Sequence, residues 1–152
     1  MVMFEVVSRL VILSAVLSLP SAVNAFGNDE RWVSGYGMGV KEAIITKGPG
    51  NQIYVACDEG SGTGSTVSFM LAGRGPTGDA VTLTFDGREP QDFWIADGQI
   101  ASDCRACAAN FNMVIDLFKA HRTVHVRFEN GLGARFSLTG SSSAIGSCTA
   151  SF

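Results

Sequence analysis

The sequence predicts a mainly β domain with one helix: a disulfide-bonded antiparallel sheet or β-sandwich of the α+β class. Three observations predict it. Around Val67–Leu71, Val81–Phe85 and Val124–Phe128, apolar and polar residues alternate in short runs, the period of two that a half-buried strand requires. Eighteen glycines punctuate those runs, a composition of strands and turns rather than of a helical bundle. One later stretch switches to a period of three and four, which belongs to a single helix face.

Taken in order, residues 26–37 are polar and glycine-punctuated and read as a loose lead-in. Val40 to Thr46 is the first strand. Lys47-Gly48-Pro49-Gly50-Asn51 is a strong turn signal, because Gly and Pro supply the φ values that reverse a chain. Gln52 to Cys57 is then a second strand, giving a hairpin with a longer loop. Asp58 to Ser65 reads as a flexible glycine-serine loop. Thr66 to Ala72 carries Val67, Phe69 and Leu71 on one face. Gly73 to Asp79 turns the chain. Ala80 to Phe85 sets Val81, Leu83 and Phe85 against Thr82 and Thr84, and Asp86-Gly87 closes it. Asp92 to Ala96 is a further short strand, and Asp97-Gly98 turns it towards Ile100.

From Ala106 to His121 the apolar residues Phe111, Val114, Leu117 and Phe118 line one helix face. Ser102 or Asp103 is placed to cap its start. Lys119, His121 and Arg122 fall in its last turn, where the helix dipole favours cations. Val124, Val126 and Phe128 return to period two. Asn130-Gly131-Leu132-Gly133 turns the chain, and Phe136 and Leu138 continue on a partner strand, the clearest hairpin signal present. A serine-rich stretch leads to Cys148. There is no internal repeat.

The first 25 residues read as a cleaved signal peptide, leaving one domain over residues 26–152. Arg9 precedes an apolar run from Leu10 to Leu19, Pro20 breaks it, and Val23-Asn24-Ala25 offers small residues where a signal peptidase cuts. The run is shorter than the roughly 20 residues a bilayer span needs, so no membrane span is expected after processing. No cysteine follows it that could carry a lipid. The expected location is the periplasm or the cell exterior. The remaining length buries an adequate core without a metal. The net charge of −3 and the lack of a basic stripe argue against nucleic acid as a partner.

All four cysteines, Cys57, Cys104, Cys107 and Cys148, lie after the export signal. An even count in that context reads as two disulfides. Three pairings are possible. The favoured one joins Cys104 to Cys107, which can close locally, and Cys57 to Cys148. The long bridge would contribute about 4–5 kcal/mol on a chain-entropy model.

Only Cys104-Arg105-Ala106-Cys107 at the helix start has obvious chemistry. A helix N-terminus stabilises a thiolate, and Arg105 adds to that. Redox enzymes place such a motif after an early strand of an α/β unit, whereas here it comes late and after several strands, so a structural bridge is the favoured reading. The four cysteines with His121 and His125 could hold zinc, but a four-cysteine site usually shows two close pairs and this chain has one. Gly60-Ser61-Gly62-Thr63-Gly64 resembles a phosphate loop only superficially: it lacks the Lys-Ser/Thr and opens no helix. His125 alternates with buried positions and is expected to face solvent. No serine sits in a G-x-S-x-G elbow, and no carboxylate pair is assignable. The expected catalytic, cofactor and metal residues are therefore none, and no cofactor is expected.

Tyr54-Val55-Ala56-Cys57, the pair Cys104 and Cys107 opening the helix Phe111 to Lys119, Val124-His125-Val126-Arg127-Phe128, and Phe136-Ser137-Leu138-Thr139-Gly140 running into Ala144-Ile145 form a layout. That layout resembles the invasion-associated locus B group of small exported bacterial proteins. The resemblance implies a periplasmic or surface β-sandwich without known catalysis, associated with host interaction or the envelope. Tyr54 and Cys57, Gly133-Ala134-Arg135-Phe136-Ser137 and the late Cys148 resemble pieces of the exported lysozyme inhibitors. The expectation is thus an exported, non-catalytic binding or accessory protein with a protein partner. Its rivals are an inhibitor or immunity protein blocking an enzyme such as a lysozyme, and a thiol–disulfide oxidoreductase using Cys104 and Cys107. The partner's identity and the oligomeric state have no periodic signature and are not legible.

Overall fold

The computed structural model describes residues 29–151, and the signal peptide read at residues 1–25 lies outside them. Among the described residues the strands are β1 (Val33–Gly37), β2 (Val40–Thr46), β3 (Gln52–Asp58), β4 (Thr66–Met70), β5 (Ala80–Phe85), β6 (Gln91–Trp94), β7 (Gln99–Ala101), β8 (Thr123–Arg127) and β9 (Gly133–Ser137). Helix α1 (Arg105–Ala120) lies between β7 and β8, and α2 (Ser141–Ile145) follows β9. The fold is mainly β, in two antiparallel sheets, as the alternation predicts. One sheet has the order β1-β2-β3-β4-β7, the other β6-β5-β8-β9.

Alternation decides which residues face inward. In β3, Ile53, Val55 and Cys57 are buried while Tyr54 and Ala56 are not. In β5, Val81, Leu83 and Phe85 are buried and Thr82 and Thr84 lie on the other face. Register carries the rows across neighbours: Leu83 pairs with Val126, and Val126 with Ala134. The inner rows of both sheets and the apolar face of α1 (Phe111, Val114, Ile115 and Phe118) form one core. Phe118 joins the two sheets, with ring centroids 6.1 Å from both Trp32, just before β1, and Phe85 on β5. Burying a side chain such as Phe118 completely is worth about 1.5–3 kcal/mol over leaving it exposed.

The β8–β9 hairpin turns where expected. Gly131 has φ +87°, a conformation costly for any residue with a Cβ. The Asn130 side chain accepts a bond from the Leu132 N–H at 3.0 Å and fixes the turn locally.

Several details differ from the sequence reading. Residues 33–37 are a strand, not part of a loose lead-in; Val-Ser-Gly-Tyr-Gly has poor strand propensity, and pairing along β2 forms it instead. The serine-rich stretch contains α2. Its Ser141 and Ser142 hydroxyls donate to the carbonyls of Phe118 (2.7 Å) and Lys119 (3.2 Å), which α1 itself leaves unpaired at its end. The N-cap of α1 is Cys104, not Ser102 or Asp103: its Sγ accepts from the Cys107 N–H at 3.0 Å. Of the three cations expected in the last turn, Lys119 lies there, while His121 is the C-cap and Arg122 follows it.

Candidate functional site

Three segments far apart in sequence meet where β3 ends: the loop 58–65, Ser102 before α1, and the chain after Cys148. The Cys57–Cys148 bridge spans 91 residues with Cα atoms 5.6 Å apart and ties the C-terminal segment to β3. Asn112 on α1 clamps the same segment, donating to the Ala150 carbonyl (2.9 Å) and accepting from its N–H (2.8 Å). Buried Ser102 accepts from the Ser65 N–H at 2.8 Å, fixing the far end of the loop.

The loop itself is organised around Asp58. One carboxylate oxygen accepts from the N–H groups of Gly60 (2.9 Å), Ser61 (2.6 Å) and Gly62 (3.2 Å) and from the Ser61 hydroxyl (2.9 Å). The other accepts from Gly64 at 2.9 Å. Gly60, Gly62 and Gly64 all have positive φ, which lets successive N–H groups converge on one anion. These bonds, from Gly60 first, then Gly64 and the Ser61 side chain, hold the Asp58 carboxyl well below the usual carboxylate range. The glycines expected to make a flexible loop instead wrap a carboxylate supplied by the chain. Between this loop, Ser102 and residues 149–151 lies a cleft of about 370 Å³ whose walls are backbone and hydroxyl groups.

The segment leading from Ser102 into α1 carries the second bridge, Cys104–Cys107, with Cα atoms 4.9 Å apart. Both pairings are those favoured from sequence. Cys107 is buried and Cys104 partly exposed. Beside them lies an apolar groove of about 380 Å³ lined by Trp94, Cys104, Ala106, Cys107 and Asn110. Trp94 is 50% exposed, and the Asn110 side chain donates to its carbonyl at 3.0 Å, holding the end of β6 against the helix.

The two histidines stand apart from the cysteines. Next to α1's C-cap, His121 Nδ1 lies 2.9 Å from Asp86, whose carboxylate also accepts from the N–H groups of Arg122 (3.0 Å) and Thr123 (2.8 Å). An ionised carboxylate only accepts, so His121 donates. These bonds, that from His121 foremost, pull the Asp86 carboxyl down to about 2. His125 is partly exposed on the non-core row of β8. All four cysteines are bonded as disulfides in this structure, at a distance along the chain from both histidines.

On the non-core face of the first sheet, the Tyr54 hydroxyl donates to the Glu42 carboxylate across β2 and β3. Burial, then the bond to Glu42 and its charge, push the Tyr54 phenol up to about 12. Glu42 and Tyr54 line a shallow recess with Met38, which is 97% exposed. Periodicity pointed to neither this recess nor the cleft, since each is assembled across strands and loops.

The model of the YfjT family matches residues 30–145. The chain belongs to the YfjT family. The match covers every named strand and both helices of this YfjT-family chain, and stops just before Cys148. No curated protein matches it, and no solved structure matches it. In this family member the two closed bridges leave no free thiol among the described residues, the mark of a chain that matures outside a reducing cytoplasm. No helix among the described residues is long and apolar enough to cross a membrane.

Proposed function

We propose that this chain is an exported binding or accessory protein of the periplasm or cell exterior, non-catalytic, which engages a protein partner through the cleft between the 58–65 loop and the C-terminal segment. One observation carries the reading: the cleft walls are fixed before any partner arrives. Asp58 locks the loop, the Cys57–Cys148 bridge and the Asn112 clamp lock the opposite wall, and Ser102 locks the floor. A surface ordered in advance loses little entropy on association. The Thr149 and Ser151 hydroxyls on its walls, which these locks leave unused, offer hydrogen bonds of the kind interface rims use.

The test uses oxidised protein recovered after expression of the full chain. Wild type should capture one partner stoichiometrically from an envelope extract. Thr149→Arg, which puts a bulky cation on the cleft wall, should lose that partner, while Arg88→Ala in the β5–β6 connection should keep it. Equal capture by all three proteins defeats the cleft as the contact surface. A lysozyme-inhibition assay on the same three proteins separates an enzyme-blocking role from other binding roles.

A further inference from the structure

We propose that Cys104–Cys107 is an exchange-active disulfide, which accepts the thiol of a cysteine-bearing peptide seated in the groove beside Trp94. This goes beyond the binding reading and stands or falls separately from it. The C-x-x-C context alone favours a structural bridge. The structure adds an asymmetry absent from the sequence: the two cysteines differ in exposure, and the two bridges differ from each other.

Cys57 and Cys148 are 2% and 3% exposed, so their bridge is sealed in the core. At the helix start, Cys107 is 5% exposed whereas Cys104 is open to solvent in part. Thiol–disulfide exchange requires a thiolate to reach one sulfur, and of the two cysteines that line the groove Cys104 is the more exposed and so the one placed to be attacked. Its Sγ, 3.0 Å from the Cys107 N–H, sits at the N-cap of a 16-residue helix with no acidic residue in its first turn. Cys107, the sulfur that leaves in the first exchange, lies in the first turn of the same helix, and Cys104, which leaves in the second, lies at its N-cap. Negative charge developing on either therefore meets the helix N-terminus, with the Asp103 carboxylate the one anion close by among the described residues. The groove supplies the seat: Trp94 and Ala106 form its apolar walls, and Asn110 offers polar atoms beside them.

The chemistry closes without any further reagent. The peptide thiolate forms a bond to Cys104 Sγ, the Cys104–Cys107 S–S bond breaks, and its electron pair leaves with Cys107. The products are a mixed disulfide on Cys104 and a Cys107 thiol. The proton passes from the peptide thiol to Cys107. A carboxylate oxygen of Asp103 lies within 4.8 Å of both sulfurs and is positioned to carry it. A second peptide thiol attacking the mixed disulfide would release an oxidised peptide and leave both cysteines reduced.

The experiment incubates the native protein with glutathione or with a short peptide holding one cysteine between leucines, followed by timed acid quench and peptide mapping. The Cys104–Cys107 bridge should open at least about tenfold faster than Cys57–Cys148. Equal rates, earlier opening of Cys57–Cys148, or opening only once the protein unfolds would overturn the proposal. In Cys107→Ala the freed Cys104 should be alkylated at least about tenfold faster at pH 7.5 than the freed Cys107 in Cys104→Ala, and the reverse order defeats the assignment. If either variant fails to fold, the wild-type order of opening decides alone. Trp94→Ala should slow exchange with the leucine-flanked peptide by about threefold or more and leave glutathione unaffected; an equal effect on both rules out the groove as the seat.

Discussion

Two aspartates gather backbone N–H groups in this chain, over very different reaches. Asp58 takes its donors from residues 60–64, within six positions of itself. Asp86 takes its donors from residues 121–123, about 35 positions on. The first lock is local: every donor to the Asp58 carboxylate lies within the loop itself. The second is tertiary: it joins the end of β5 to the exit of α1 and the start of β8, and forms only when those elements are already docked. Ser102 before α1 braces the Asp58 loop, and His121 at its other end touches Asp86. A 16-residue helix is about 24 Å long, so each aspartate serves a different end of the same rod.

The largest effect expected falls on the Asp58 end. Replacing both Cys57 and Cys148 by Ala removes the bridge across 91 residues and should cost about 4–5 kcal/mol in urea unfolding on the chain-entropy model. Protease nicking should then appear first in the 58–65 loop and the C-terminal segment. A loss below about 1 kcal/mol would mean that Asp58 and Asn112 hold this end without the bridge.

Phe118→Ala tests the other end. The ring is fully buried between Trp32 and Phe85, and its loss should cost about 3–5 kcal/mol. Hydrogen exchange should rise at Arg122 and Thr123, whose amides bind Asp86, before it rises in residues 60–64. Simultaneous loss at both places would show that the two locks are not separable. A finer cut at the same end is Ser141→Ala. It removes the buried hydroxyl that satisfies the Phe118 carbonyl at 2.7 Å and should cost about 1 kcal/mol.

The smallest effect is the dependence on acid, because both carboxylates are solvent-accessible and screened. Folding lowers both pKa values from a usual value near 3.9. Each aspartate therefore stabilises the fold fully above that value and loses its contribution as pH falls through its folded value. For Asp86 this happens down to about 2, and for Asp58 it extends lower still. Urea midpoints of Asp86→Asn should lie below wild type at pH 6 and approach it by pH 2. Those of Asp58→Asn should still lie below wild type there. Curves that stay parallel to wild type would remove both carboxylates from the acid response.

How much of this was legible follows from the same contrast of reach. The strands β2 and β5 have the bounds the sequence predicts, Val40–Thr46 and Ala80–Phe85, the latter from clean alternation, and α1 is displaced by a single residue at each end. Parity announced two disulfides and left three pairings open, of which the structure closes the favoured one. The Asp58 loop was half legible: its glycines announce positive φ, but nothing in Gly-Ser-Gly-Thr-Gly says that the anion at its centre is the residue before it.

What the sequence determined by itself was the β-rich class, the buried rows, the helix and the number of bridges, because each rests on a local period or on the parity of the cysteines. Tertiary structure alone decided that Val33–Gly37 becomes a strand, that Ser141 and Ser142 finish α1, that Cys104 displaces Ser102 and Asp103 as cap, and that Asp86 finds His121. In each case the deciding bond has a partner that only the folded chain brings near, or, at Cys104, a geometry that the closed bridge creates. The cleft and the groove belong to this second group. The cleft's walls come from segments tens of residues apart and the groove's from the end of β6 and the start of α1, and no periodicity along one strand or helix encodes a surface assembled from several.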